Sequence, residues 1–424
     1  MRPSTTQSAL VETAGGHEPF APAIETGTSV ELFTGGGGLA QAMHEVGFRH
    51  LLCNEYSPRA CETLLENRAM AWKPGSSLPT SLVDRWPLIQ GDVRLDEVAV
   101  ALKEVAGKVD VVAGGPPCQP FSLGGVHKGD EDERNMFPEL FRVVREVRPR
   151  AIICENVRGL MRPSFRPYFD YILRELGAPF VKRKSSEDWE VHDRRLRRLG
   201  EPTRNLDEYY DVYPIPVNAA DYGVPQVRQR VIIVAFRKDL NVSWEPPERR
   251  YSEASLVRDQ RNGDYWDVVG RKPKPEVIAM RENAKFAPED LEKSPWRTLR
   301  QAIAGLPEPI EGEQTGPIEH HIGWPGARIY KGHTPNLLDR PAKTVKAGVH
   351  GVPGGESVML RDDGTHRYMT VRETARVMTF PDSWRLAGPR GEQMRQLGNA
   401  VPVLLGKVFA QAVANALKPS VNTR

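Results

Sequence analysis

The sulfur of Cys118 is the first atom in this sequence that asks for a chemical explanation. It stands in Gly114-Gly115-Pro116-Pro117-Cys118-Gln119-Pro120-Phe121-Ser122. Two prolines fix φ and withhold backbone donors, giving a stiff turn that presents the next side chain. A thiolate is a strong nucleophile, although a cysteine in a proline-rich turn can equally be structural. Further on, Ala151-Ile152-Ile153-Cys154-Glu155-Asn156-Val157 carries Glu155 at the end of an apolar run. Burial there would favour a held proton; the plainer reading is an acid capping the next turn. Gln226-Val227-Arg228-Gln229-Arg230 adds two guanidinium groups at alternate positions, on one side of an extended chain. A thiol, a carboxyl and two guanidinium groups suit a planar substrate with hydrogen-bonding edges. Either arginine alone reads as a surface residue.

A second group of residues has the chemistry of an adenosine site. In Val30-Glu31-Leu32-Phe33-Thr34-Gly35-Gly36-Gly37-Gly38 an apolar run feeds a glycine turn, where a ligand can approach backbone without meeting a Cβ. Gly35, Gly37 and Ala40 fit the GxGxxG/A dinucleotide pattern, with Glu55 twenty residues beyond Gly35. That pattern does not separate a nicotinamide cofactor from S-adenosylmethionine. Glu55 would accept from both ribose hydroxyls, and Asp92, in Gln90-Gly91-Asp92-Val93, from an adenine amino group. Each acid alone reads as a helix N-cap; one on each of two successive strands favours adenosine.

The elements that must position these residues alternate in type. Residues 30–33, 50–54, 87–93, 109–113, 151–155 and 231–236 read as strands, and 60–67 and 137–147 as helices, with a further helix from the glycine turn through Val46. This alternation predicts an α/β fold, a doubly wound and mostly parallel sheet whose ligands sit beyond the carboxyl ends of the strands. Every motif above falls at such an end. Residues 239–365, rich in Pro, Gly, Trp and charge, read as a smaller irregular domain. Helical spacing resumes at 371–378 and again at 401–417.

Composition is that of a soluble globular protein, with 39% hydrophobic and 27% charged residues. Four scattered cysteines make no disulfide framework and no zinc site, so no metal is expected. No apolar run approaches the roughly 18 residues of a membrane span, and residues 1–28 read as a flexible tail without the pattern of a signal peptide. The expected compartment is cytoplasmic. Net charge is only +3, which excludes a bulk polyanion binder, yet Lys182, Arg183, Lys184, Arg194, Arg195, Arg197, Arg198 and Arg204 gather in one stretch. That stretch suits a solvated helix face or a phosphate-facing surface equally.

Taken in order, these blocks resemble the DNA (cytosine-5) methyltransferase family, a prokaryotic restriction–modification or phage-defence type, over residues 29–417. The resemblance continues in Arg340-Pro341-Ala342-Lys343-Thr344, in Arg372–Met378 with Phe380-Pro381-Asp382, and in Leu397-Gly398-Asn399-Ala400-Val401. It implies a Rossmann-like catalytic domain of the class I S-adenosylmethionine-dependent methyltransferases over 29–238, completed by 366–424, with 239–365 reading the target. It implies duplex DNA as partner, S-adenosylmethionine as methyl donor, and a cytosine flipped from the helix. Cys118 would add to C6, Glu155 would protonate N3, Arg230 would hold O2, and Arg228 would support the thiolate and its loop. Phe33, Gly35, Gly37, Glu55, Tyr56, Asp92, Val93, Pro117, Met136 and Asn399 would line the cofactor. Residues 122–135 would close over the site. Gly36 departs from the larger apolar residue usual in the family.

Within 239–340 the candidates for base contact are Trp266, Trp296, Arg297, His320, His321, Trp324, Arg328, Tyr330, Lys331 and His333, with Thr344 and Lys346 just beyond. The competing readings are an RNA (tRNA) cytosine methyltransferase on the same scaffold, a nicotinamide-dependent oxidoreductase, and a non-catalytic DNA- or protein-binding member. Other proteins of a restriction–modification or defence system are further possible partners, and the enzyme would be associated with the nucleoid through DNA.

Overall fold

The computed structural model describes residues 24–117, 135–329, 334–347 and 357–418. Eight strands form the main sheet: β1 (Gly27–Leu32), β2 (Phe48–Glu55), β3 (Ala69–Ala71), β4 (Trp86–Gln90), β5 (Val111–Gly114), β6 (Ala151–Val157), β7 (Tyr210–Asn218) and β8 (Gln229–Arg237). Their order is β3-β4-β2-β1-β5-β6-β8-β7. All neighbours are parallel except β6–β8 and β8–β7. The central strands are covered on both faces, which is why β5 and β6 read as continuous apolar runs rather than alternating ones.

Helices α1 (Gly38–Val46), α2 (Pro58–Asn67), α3 (Asp96–Val105), α4 (Phe137–Val147), α5 (Arg166–Gly177) and α6 (Trp189–Leu196) connect these strands. The chain leaves β1 toward β2 on one side and reaches β5 on the other. The crevice between β1 and β5 is therefore the switch point where such sheets bind ligands.

Several boundaries differ from the sequence reading. Thr26 already donates to Gly47 and β1 starts at Gly27, so the tail is shorter than 1–28; residues 1–23 lie outside the described residues. β4 stops at Gln90, which leaves Asp92 on the turn beyond it. The sequence reading assigns no strand to 210–218, because Pro214 and Pro216 cannot donate to a ladder. β7 tolerates them as the sheet edge, where one side of the strand has no neighbour.

After β8 the elements shorten: β9 (Tyr251–Ser252), α7 (Glu253–Asn262), α8 (Asp264–Val269), α9 (Pro275–Ala279), α10 (Pro288–Leu291), β10 (Ser294–Pro295) and α11 (Leu299–Ala302). Leu256, Tyr265, Trp266 and Val277 give this region a small core of its own. β11 (Asn336–Leu337), β12 (Val358–Leu360) and β13 (His366–Tyr368) form a three-stranded sheet, so the boundary expected at 365 falls inside a hairpin.

The last helices, α12 (Val371–Val377), α13 (Arg390–Asn399) and α14 (Val403–Leu417), return to the main sheet. At Gly406 a Cβ would stand 2.8 Å from that of Ala42; its absence lets α14 lie close on α1. Within Arg390–Leu417 the most apolar window has a mean hydropathy of 1.5, but that window is 61% buried in the fold and the stretch breaks at Ala400, so it reads as core.

Candidate active site

The reacting end is built where β5 and β6 finish side by side. The turn after β5 runs against the carboxylate: a Cβ on Gly115 would lie in ordinary contact, 3.6 Å from Glu155 Oε2. Asn156 Nδ2 donates to the Pro116 carbonyl at 3.0 Å and ties that turn to β6. On the other side, Met136 N meets the Pro117 carbonyl at 3.4 Å, so the chain returns beside the point it left. Cys118 itself lies outside the described residues, as do 119–134, which include 122–134 of the expected closing loop.

Arg230 Nε lies 2.8 Å from Glu155 Oε1, and both side chains are largely buried. Within the described residues Oε1 nevertheless accepts no aligned hydrogen bond. The contact is ionic, and a buried oxygen keeps its lone pairs for another donor.

Arg228 does something the sequence did not reveal. It is fully buried, and its fork donates to three backbone carbonyls: Val345 at 3.0 Å, Gly398 at 2.9 Å and Ala400 at 2.9 Å. Burial, helped by the charge of Arg230, pulls its pKa down to about 9. Around it, Val227 N donates to Ala342, Thr344 Oγ1 to Val227, and Val345 N to the Gln226 side chain. At Gly398 a Cβ would stand 2.3 Å from Ala347 N, so only glycine allows these two segments to touch. Arg228 is thus the pin of a three-segment joint. The two arginines do not face one substrate together: Arg230 meets Glu155, and Arg228 is committed to backbone.

The cofactor end centres on Glu55. Its Oε2 accepts from Gly35 N and its Oε1 from Ser57 N, each at 2.7 Å. Burial pushes its pKa up, and the backbone donors at Ser57 and Gly35 work against that. Each oxygen retains a lone pair, the chemistry a vicinal diol requires. Phe33 takes φ 56° and Gly35 φ 57°, so the chain turns sharply as it leaves β1. Phe33 is half-buried, Tyr56 is 73% exposed, Val93 is buried, and Pro117 and Asn399 are exposed.

Two of the expected cofactor residues have structural partners as well. Arg94 grips both oxygens of Asp92 at 2.8 and 2.6 Å and holds its carboxyl below the usual range. Gly37 serves packing, since a Cβ there would lie 2.6 Å from the Trp384 ring. Trp384 Nε1 also donates to the Gly36 carbonyl, and Gln396 lies against Gly36, in the space a larger residue would take.

The profile of the C-5 cytosine-specific DNA methylases matches residues 27–178 and 190–415. The chain belongs to that family. The Type II methyltransferase M.Eco47II of Escherichia coli is 30% identical over 92% of this chain and 79% of its own length. M.NgoMIV of Neisseria gonorrhoeae is 27% identical over 92% and 98%. A solved structure from Escherichia coli, described as a prophage-encoded DNA modification methyltransferase, shares the fold with a TM-score of 0.56 at 20% identity, covering 93% of this chain and all of that one. Dnmt2 of Spodoptera frugiperda shares it at 0.53 and 16%, over 91% and 99%. Cytosine-5 methylases take their methyl group from S-adenosylmethionine, and no metal-binding group occurs among the described residues.

Two base-contact candidates of this methylase prove to be structural. Trp266 is fully buried and donates to Gln260 at 2.8 Å. His321 is fully buried between Thr370 and the Pro307 carbonyl. Trp296 donates to Asp221, beside the main sheet, His320 accepts from Leu386 N, and Arg297 lies over the Tyr251 ring. Trp324 and Arg328 remain exposed, with Arg390 stacked 4.9 Å from the Trp324 ring centre. Tyr330, Lys331 and His333 lie outside the described residues.

The basic stretch is partly neutralised: Arg195 pairs with Glu187, and Arg197 with Asp193. Asn156, Gln226 and Gly398 position the site and were visible in the sequence only as members of its motifs.

Proposed function

We propose that this methylase modifies C5 of a cytosine flipped out of a specific duplex sequence, through a transient bond between Cys118 and C6. The observation that carries the reading is Glu155: a buried carboxyl with an oxygen free of aligned donors, beside Arg230, at the strand end that adjoins the Pro116-Pro117 turn. Thiolate addition at C6 pushes ring electrons toward C5. Glu155 hydrogen-bonds N3 and gives it a proton, so that no full negative charge develops on the ring. C5 accepts the methyl group, a base removes the C5 proton, and the C6–sulfur bond breaks to return the thiolate. Arg230 holds O2 of the base. Arg228 acts at one remove, by fixing the segments around it.

S-adenosylmethionine supplies an electrophilic methyl group on a sulfonium. Glu55 would hold its ribose, with Phe33 and Tyr56 against the adenine and Val93 at its edge. Asp92 would contribute there only with the lone pairs Arg94 leaves. Gly35, Pro117, Met136 and Asn399 would line the remainder, and Gly37 would help by keeping the turn compact. Residues 29–238 and 366–424 would form the catalytic unit and 239–365 the reader. The names of these two relatives, both Type II methyltransferases, support a place in a prokaryotic restriction–modification system, acting on DNA in the cytoplasm.

The test uses a duplex carrying 5-fluorocytosine at the target, where fluorine cannot leave as a proton. A complex that survives denaturant, and disappears in Cys118→Ala, is expected. Methylation of ordinary duplex without any trapped complex would overturn the covalent route.

A further inference from the structure

We propose that Tyr168 and Trp189 are positioning residues for methyl transfer, acting through Asn135 on the turn that precedes Cys118. The inference rests on the reading of Cys118 as nucleophile. Pro116-Pro117 is held on one side by Asn156 and on the other by Met136. The residue before Met136 is Asn135, which is buried and accepts from Phe137 N at 3.4 Å through its Oδ1. Its Nδ2 donates to the Tyr168 hydroxyl. One amide side chain therefore meets the first residue of α4 and fastens the returning chain to α5.

Tyr168 is itself braced. The Trp189 ring meets it edge-on, 5.1 Å between centres and 88° between planes, and Tyr171 completes the group at 5.7 and 5.6 Å. Trp189 opens α6, whose N-cap Asp188 accepts from Val191 at 2.7 Å. A buried polar joint fixes α6 on α5. His192, with no exposure, stands 3.1 Å from the Tyr171 hydroxyl, 2.9 Å from Glu175 and 2.6 Å from the Val181 carbonyl. Arg174 and Arg197 both grip Asp193. Among the buried side-chain atoms of this network Arg174 Nη2 alone lacks a partner, and a network so nearly satisfied favours one arrangement over many.

The match to the family skips residues 179–189, and Trp189 is the last of them. The brace is thus partly built from a stretch that lies outside the shared pattern. A segment serving only as solvated surface has no need of a buried histidine or of an aromatic wedge against the residue that fastens the active-site turn. The route runs from α6 through Trp189 and Tyr168 to Asn135, and from there to Met136 and Pro117. It touches neither the Glu55 end nor the region 239–365.

The experiment compares single-turnover methyl transfer and trapping by a 5-fluorocytosine duplex in the intact protein and in Tyr168→Phe, Trp189→Ala and Trp189→Phe. Tyr168→Phe keeps the ring and removes only the hydroxyl. We expect it to slow both steps about tenfold to a hundredfold, the scale for a slightly misplaced reacting group. The dissociation constant for duplex should stay within about twofold, against the tenfold that 1.4 kcal/mol would give. Trp189→Phe should recover most of the rate that Trp189→Ala loses. Unchanged rates in Tyr168→Phe, or equal losses of rate and of duplex affinity, would overturn the proposal. If the intact protein methylates without trapping, the covalent reading fails, and the transfer rates of the variants still decide the brace.

Discussion

Replacing Arg228 by lysine keeps the charge but removes the fork, and the joint it pins should loosen. Two nitrogens of the guanidinium satisfy three carbonyls on two segments, 345 and 398–400. A single ammonium cannot span both, so at least one carbonyl loses its donor in a buried site. A buried group left unpaired costs about 1–3 kcal/mol, and a hydrogen bond to a charged group contributes about 1.5–3. Lysine recovers part of this through its remaining contact, which leaves a net loss of about 2–4 kcal/mol. For a protein of this size that corresponds to a fall in Tm of roughly 2–5 °C if unfolding is cooperative. The loss should also be local. Amide exchange should accelerate first at 345–347 and 398–401, before the strands of the main sheet. Thermal unfolding with exchange read by mass spectrometry measures both. An unchanged Tm together with unchanged protection at the two segments would show that the joint does not depend on the fork.

The remaining predictions concern the site and the pH response. Glu155→Gln should lose about 10²–10⁴ in the rate of methyl transfer while still binding duplex, as a lost acid–base group would; equal rates would remove Glu155 from the chemistry. Glu55→Ala should weaken S-adenosylmethionine binding by about tenfold or more, the worth of one lost charge-assisted hydrogen bond, and calorimetry would read it directly. Burial lowers the pKa of His44 to about 3 and that of His50 to about 4. Between about pH 6.5 and 4.5 the unfolded chain therefore takes up protons the fold refuses. Stability falls with acidification by about 1.4 kcal/mol per unit for each histidine, or about 5 kcal/mol for the pair over that window. Glu31 works the other way, since burial raises its pKa and the fold holds its proton. Glu31→Gln should therefore steepen the acid loss seen in urea unfolding, and an unaltered slope would contradict the assignment.

The alternation of strands and helices was legible because the central strands are buried on both faces and read as apolar runs. The edge strand β7 was not, because its two prolines are forbidden everywhere except at an edge, and edges are a property of the whole sheet. Glu155, Arg230 and Glu55 announced themselves as polar groups at the ends of apolar runs. What stayed hidden was how much of the motif set serves backbone: Arg228, Gly37 and Gly398 look like site residues in sequence and act as pins and clearances in space. Trp266 and His321 failed as base-contact candidates for a related reason. Aromatic and imidazole groups serve a small core as well as a DNA groove, and only burial separates the two uses.

The glycine turn after β1 is roofed by residues that a ribosome makes much later than the turn itself. Trp384 covers Gly37, the Val401 carbonyl sits where a Cβ of Gly38 would be, and α14 lies along α1. During synthesis the first strand must wait for some 350 further residues before its turn acquires this cover. A chain cut short before Trp384 would carry the thiol and the carboxyl but an unsupported nucleotide cleft, so such a copy would be silent by construction.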